Sequence, residues 1–325
     1  MSLPYLFDLV DLHCHLSTSV TTHLLWEMAH QRGIKLPHKD YWKFLESTKL
    51  DPKNSYHSYH DYYDLVQKVQ SSPDAIENSV YEAISLSYRK ANITQQEIRF
   101  NPMRRNMEGL YDLDRIIFSA LVGMKKASMI YPVKTGLIIE MDRRFDEKLN
   151  AIIANKAIEF RNEGVVGLDI SGPAVPSFKM SDIVKPVEKA KSFGLGITIH
   201  TGEEGEISEM WEVLEKLSPN RLGHGIMCIK DEKLMAEIVK RGISLEVCPS
   251  SNLSLKLVKN WQEVGKILNT LKQNGVPFNI NSDAPVILNT NVKNEYEKLI
   301  ENEIFTLEDV KKSIKTARKH SFIKD

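Results

Sequence analysis

"KLNAIIANKAIEFRNEGVVGLDI", residues 148–170, reads as one unit of a repeating design. Apolar residues recur at helical spacing over 148–164, Gly164 supplies the expected stop, and "VVGLDI" (165–170) follows as a β-like run of branched apolar residues. A helix that returns directly into a buried strand is half of a right-handed βαβ crossover, the connection that builds parallel sheets.

The unit recurs in both directions. β-like runs stand at "DLVDLH" (8–13), "QEIRFN" (96–101), "TGLIIEM" (135–141), "LGITIH" (195–200), "NRLGHG" (220–225), "ISLEVC" (243–248) and "VPFNIN" (276–281). Helical stretches such as "KPVEKAKSFG" (185–194) and "DEKLMAEIVKRG" (231–242) lie between them and again end in glycine. About eight such repeats in one chain predict a closed α/β barrel, (β/α)8 or TIM, rather than an open doubly wound sheet. No low-complexity linker interrupts it, so one domain is expected over residues 1–325. GxGxxG and GxxxxGK[ST] are both absent, and no nucleotide-phosphate loop is indicated.

Residues 16–94 break the rhythm. They read as a helical insertion after the first strand, with "HLLWEMAHQRG" and "HDYYDLVQKVQ" as its clearest helices, placed to form a lid on the face where barrel enzymes keep their sites. The aromatics Trp26, Trp42, Phe44, Tyr62 and Tyr63 read as the lid's own small core before a substrate contact, and His57 and His60 as solvated or lid-packing residues before metal ligands.

Bulk properties exclude several partners. Lys plus Arg and Asp plus Glu both total 43, with no long block of either sign, which argues against nucleic acid or an anionic membrane surface. Cys14, Cys228 and Cys248 are odd in number and far apart, as in a reducing compartment. No apolar run approaches a membrane span and the first residues lack a basic start, so a cytoplasmic location is expected.

The polar residues fall at strand ends. His13 and His15 in "DLHCHL" are two apart, so both imidazoles point to one face; His200 ends "ITIH", His224 ends "RLGH" and Asp283 follows the last strand in "NINSD". A closed barrel would bring all five to one rim. Any one of them reads as a packing residue, but five together, costly to bury without partners, point to a metal site. Imidazoles with one carboxylate suit Zn2+, one per chain, among other divalent ions. Such an ion would lower the pKa of a bound water to about 7, the chemistry of a hydrolase. Glu203, in "HTGEEGE", stands three residues past His200 as a proton donor or acceptor, while Glu204 and Glu206 read as helix-start carboxylates.

The ordered motifs "DLHCHL", "EIRFNP", "VVGLDISG", "HTGEEGE", "RLGHGI", "LEVCPSSN" and "NSDAP" span nearly the whole chain, which resembles the adenosine deaminase family of metal-dependent amidohydrolases. The resemblance implies metal binding by His13, His15, His200 and Asp283. It implies that Glu203 protonates the ring nitrogen beside the attacked carbon, and that His224 and Asp283 orient and deprotonate the attacking water. Gly172 would offer its backbone to a purine ring nitrogen. The implied partner is a small aminopurine-type substrate that loses ammonia.

Two positions depart from the family pattern. Ala284 stands where a second aspartate reads the other ring of the purine, and Ser17 and Thr18 replace the "DG" that faces the ribose 5′-hydroxyl. The chemistry is retained while substrate reading is changed. Arg99, Arg104 and Arg105 in "RFNPMRRN" offer guanidinium groups to a phosphate or carboxylate, or else pair with Glu97, Glu108 or Asp112. Alternatives are therefore a deaminase of a 5′-phosphorylated or modified adenine nucleotide, a two-metal hydrolase, and a non-catalytic metal-binding barrel.

Overall fold

Eight parallel strands follow one another in space as in the chain: β1 (Leu9–His15), β2 (Ile93–Phe100), β3 (Lys134–Asp142), β4 (Val165–Ser171), β5 (Gly196–Thr201), β6 (Arg221–His224), β7 (Ser244–Val247) and β8 (Phe278–Ile280). The computed structural model describes residues 7–49, 55–106, 112–173, 175–203 and 207–324, with the side chains of residues 55–60 outside that description. A bridge between Cys14 and Asp283 closes the ring. There the Asp283 N–H donates to His13 O at 2.8 Å and the His15 N–H to Asp283 O at 3.0 Å. The expected (β/α)8 barrel is the observed one, with strand ends displaced by a few residues.

The helices are α1 (Thr22–Gln31), α2 (Tyr41–Ser47), α3 (Ser55–Val69), α4 (Pro73–Ala91), α5 (Leu113–Ile130), α6 (Glu147–Glu159), α7 (Ser181–Ser192), α8 (Ile207–Leu217), α9 (Glu232–Arg241), α10 (Pro249–Ser254), α11 (Trp261–Gln273), α12 (Val292–Glu301) and α13 (Leu307–His320). The unit at 148–170 forms as a helix followed by a strand, with the helix ending at Glu159, five residues short of Gly164. Asp146 caps α6 by accepting from the Leu149 N–H, Ile153, Ala154, Ala157 and Ile158 turn inward, and Gly164 carries the chain into β4. Among the described helices none is long and apolar enough to cross a membrane.

The stretch 16–94 contains two things rather than one. α4 packs along α5 in the outer layer and leads into β2, so it is the ordinary crossover helix of the first repeat. Among the described residues, only the short helical turn at Leu16–Thr18 and α1 to α3 are additional. Their aromatics divide: Phe44 and Tyr62 are buried, Trp42 is 72% exposed, and the Tyr63 ring stands edge-on to His15 at 6.0 Å. His57 and His60 lie outside the described side chains.

Alternation along β1 sorts the barrel into two layers. Val10 and Leu12 face α13, packing on Ala317 and Ile314, whereas Asp11, His13 and His15 face the barrel interior. That interior is charged, with Glu97, Arg99, Asp169, Arg221 and Glu246 all fully buried. Ser321 and Phe322, after α13, cover the end of the barrel opposite the rim. The Phe322 ring lies so close to β4 and β5 that a Cβ on Gly196 would come within 2.2 Å of it and one on Gly167 within 2.7 Å.

Candidate metal centre and active site

The strand ends converge as the spacing requires. His13 and His15 leave β1, His200 leaves β5, and Asp283 follows β8 at the bridge that closes the barrel. His15 Nε2 lies 3.2 Å from His200 Nε2, and Asp283 Oδ1 lies 3.5 Å from His15 Nε2 and 3.7 Å from His13 Nε2. Nitrogen and oxygen donors packed this closely repel one another unless a proton or a cation lies between them. His13 Nε2 and Asp283 Oδ1 are buried with no hydrogen-bond partner, which marks where a cation fits.

Behind each imidazole stands a carboxylate. His13 Nδ1 meets Glu246 Oε2 at 2.6 Å, His15 Nδ1 faces Glu140 Oε1 at 3.1 Å, and His200 Nδ1 meets Asp169 Oδ2 at 2.9 Å. These acids come from β7, β3 and β4. An ionised carboxylate there holds the ring proton on Nδ1 and turns a bare Nε2 lone pair inward, the tautomer a metal requires. Burial would raise the Glu246 carboxyl, but Arg99 and Arg221 hold it down at about 2. Burial, reinforced by Arg99 and neighbouring imidazoles, keeps His13 well below the ordinary imidazole range, and burial with His15 does the same for His200. Both rings are therefore neutral and ready to ligate.

His15 differs. Burial lowers it, but Glu140 and Asp283 outweigh burial and raise it, while Asp283 is lowered by His15 and His224 against its own burial. Three imidazole nitrogens and one carboxylate oxygen, with second-layer acids, fit a divalent cation such as zinc.

His224 is oriented the other way. Its Nδ1 contacts Asn252 Nδ2 at 3.1 Å, so with the amide as donor the ring proton resides on Nε2. Nε2 faces Glu203 Oε1 at 3.6 Å and Asp283 Oδ2 at 3.9 Å. The backbone is left-handed at both His224 (φ 58°) and Asp283 (φ 57°), conformations costly for residues with a Cβ and typical of sites that must aim a side chain. Glu204 and Glu206 lie outside the described residues.

Gly172 has φ +92°, and a Cβ there would sit 2.8 Å from Asp142 Oδ1, so glycine is required. Its carbonyl accepts from Arg143 Nη1 at 3.1 Å while Arg143 Nη2 donates to His200 O at 2.5 Å, tying the Gly172 loop to a metal-set strand. Ala284 is fully buried and Ser17 nearly so. The arginines divide. Arg99 is inside the barrel, bonded to Asp169, Glu246 and Leu12 O, not on the rim. Arg104, expected to meet substrate, is engaged by Asp142 at 2.9 Å. Glu97 pairs with Arg221 and Asp112 caps α5; Glu108 lies outside the described residues.

Sequence reading missed Glu140, Asp169, Glu246 and Asn252. The first three carried a signal: each is a lone acid near the end of an apolar strand, in "LIIEM", "GLDI" and "SLEV". A cavity of 420 Å3 between α1 and the starts of α4 and α5 touches none of the histidines and is not the reaction site.

The chain is similar to known proteins over nearly its whole length. The family model described as adenosine deaminase matches residues 9–325. An adenosine deaminase of Shewanella woodyi is 30% identical over 323 residues, covering 97% of this chain and 94% of its own. Among solved structures, an amidohydrolase from Burkhoderia ambifaria with bound Zn superposes with TM-score 0.87 at 18% identity, covering 98% of this chain and 86% of that one. An Arabidopsis N6-mAMP deaminase does so with TM-score 0.84 at 21% identity, covering 98% and 94%.

Proposed function

Since the chain belongs to the adenosine deaminase family of hydrolytic deaminases, we propose that it holds one zinc ion on His13, His15, His200 and Asp283 and deaminates an aminopurine-type small molecule. The observation that carries this reading is the carboxylate behind each of three converging imidazoles. Zinc is favoured by the donor set and by the Zn in the Burkhoderia ambifaria neighbour. When bound, the ion supplies the Lewis acidity that makes water a nucleophile at neutral pH.

The chain's own groups do the rest. His224 presents its Nε2–H beside Asp283, so that His224 orients the attacking water and the Asp283 carboxylate accepts its proton. Glu203 gives a proton to the ring nitrogen next to the attacked carbon. Oxygen bonds to that carbon and electron density moves onto the protonated nitrogen. The proton taken from the water passes to the amine, the density returns to the carbon as the carbon–amine bond breaks and ammonia leaves, and the hydroxyl proton returns to Glu203 as the carbonyl forms. Gly172 offers backbone to the ring, with Ser17 and Ala284 at the altered reading positions. One catalytic unit spanning 1–325, with a lid drawn from 16–94, belongs to the same reading.

The test is ammonia release by metal-loaded and metal-stripped protein across adenosine, 2′-deoxyadenosine, adenine and their 5′-monophosphate and N6-methyl derivatives. Metal-dependent turnover of at least one compound is expected. Silence across the panel from protein carrying one ion per chain overturns the proposal.

A further inference from the structure

Arg105 is buried to 1% exposure, and each of its polar atoms meets a neutral group. Nε donates to Gln70 Oε1 at 3.1 Å, Nη1 to Asn101 O at 2.9 Å and Nη2 to Ser17 Oγ at 2.5 Å. No carboxylate is paired with it among the described residues. A buried guanidinium hydrogen-bonded only to neutral groups is unfavourable, and burial, against the pull of Glu140, pushes even this strong base down to about 10. The other buried arginines inside the barrel, Arg99 and Arg221, each bind two carboxylates.

The location is specific. Ser17 lies two residues beyond His15, and the groups that attract Arg105 through space, against the repulsion of Arg104, are Glu140 and Tyr63, which both face the His15 ring. On its other side Arg105 borders the 420 Å3 cavity, which Arg32, Arg115, Asp74 and Asp112 also line. Asn101, which accepts from Arg105 through its carbonyl, has a buried side-chain Nδ2 with no partner. A cation with no hydrogen-bonded anion and an amide donor without its acceptor, among the described residues, thus adjoin a hydroxyl at the edge of the metal site.

Resting on the deaminase reading above, we infer that Arg105, Asn101 and Ser17 form a receiving site for a phosphate monoester on the substrate, so that the preferred substrate is a purine nucleoside monophosphate rather than the free nucleoside. A phosphate supplies the missing negative charge and acceptor oxygens for the remaining guanidinium N–H groups, the Asn101 amide and the Ser17 hydroxyl. Arg105, one position from the arginine expected to meet substrate, takes that role because Arg104 is held by Asp142.

The experiment compares kcat/KM for adenosine and for its 5′-monophosphate, each with and without an N6-methyl group, in the wild type, Arg105→Met and Ser17→Asp. The wild type should prefer the monophosphate by roughly 100-fold or more, since a site built for a polar group rejects the analogue lacking it. Both variants should bring that ratio close to one, mainly through KM for the monophosphate. Ser17→Asp keeps the protein folded by giving Arg105 an internal partner, so it decides the matter should Arg105→Met fail to fold. A wild type that prefers the neutral nucleoside, or variants that lose both substrates equally, overturns the inference while leaving the deaminase reading intact. Calorimetric binding of inosine and inosine 5′-monophosphate separates the reverse case. Arg105-dependent binding of the monophosphate without any deamination would keep the phosphate site and sink the deaminase.

Discussion

Glu203 and His224 face each other at 3.6 Å, and opposite tautomers separate His224 from the three histidines around it. The proposal gives Glu203 a proton to move and no metal to hold, so Glu203→Gln should lower kcat by about 10²- to 10⁴-fold with metal content unchanged. Parallel ammonia and elemental assays decide it, and concurrent loss of metal would reassign the residue. Glu140 is different, because it acts only through His15. Glu140→Ala should weaken metal binding by about 10- to 100-fold, read by chelator competition; unaltered affinity would reduce Glu140 to a packing role. Asp142 makes an acid-stability prediction. Burial favours its neutral form, but Arg144 and Arg104 outweigh burial and hold its carboxyl below the ordinary value of 3.8. A depressed carboxyl contributes stability that is present above pH about 4 and is lost as pH falls through the lower native value. Asp142→Asn should therefore destabilise the protein at neutral pH and flatten its acid-unfolding profile below about pH 4. An unchanged profile would show that the Arg104 and Arg144 contacts contribute nothing to folding.

At the scale of elements, the strands were legible because parallel barrel strands buried on both sides become short apolar runs, and the helices because α9 ends at Gly242 in the left-handed cap. The metal set was legible because strand ends sharing a rim are adjacent in space whatever their separation in sequence. Other features were not. α4 carries the same apolar periodicity as the lid helices, so only its packing on α5 reveals it as a crossover helix. Arg99 in "EIRFN" reads as exposed because a buried arginine depends on Asp169 and Glu246, 70 and 147 residues away. The segment after α13 gave no signal either, since what defines it is the absence of side chains at Gly167 and Gly196. Here a direct test exists. Gly196→Ala puts a methyl group 2.2 Å from the Phe322 ring and should cost about 1–3 kcal/mol. Phe322→Ala removes the obstacle together with the ring's contact to Arg221, centred 3.6 Å away. The double variant should fall short of the summed single effects by at least about 1 kcal/mol in urea unfolding, and simple additivity would mean that the ring does not occupy that position.

Across the whole molecule, one buried chain of charged groups joins the two ends of the barrel. The Phe322 N–H and Ser321 hydroxyl donate to Glu97 Oε1 at 2.6 and 2.7 Å, and Arg221 bridges Glu97 Oε2 at 2.6 Å and Glu246 Oε1 at 2.5 Å. Glu246 then holds His13, while Arg99 links Glu246 at 2.7 Å to Asp169, which holds His200. A buried network of this kind is weak evidence for stability, because desolvation offsets much of its attraction, whereas removal of one member leaves the others charged and unpaired. Its physical role is better sought in orientation: two of the four proposed ligands are aimed by carboxylates that the network fixes from below. Arg221→Met should therefore act twice. Leaving Glu97 and Glu246 without their shared cation should cost the apo protein about 3–5 kcal/mol. Freeing Glu246 to move should weaken metal binding by about 10-fold or more, although Arg221 touches no ligand. Chelator competition measures the second effect, and thermal unfolding of loaded and apo protein measures both, because weaker binding narrows the gap between the two curves by mass action. Arg221→Lys, which keeps the charge but loses the fork that spans two acids, should fall between Arg221→Met and the wild type on both measures. A destabilised Arg221→Met that binds metal as tightly as the wild type would show that the network holds the barrel together without setting its chemistry.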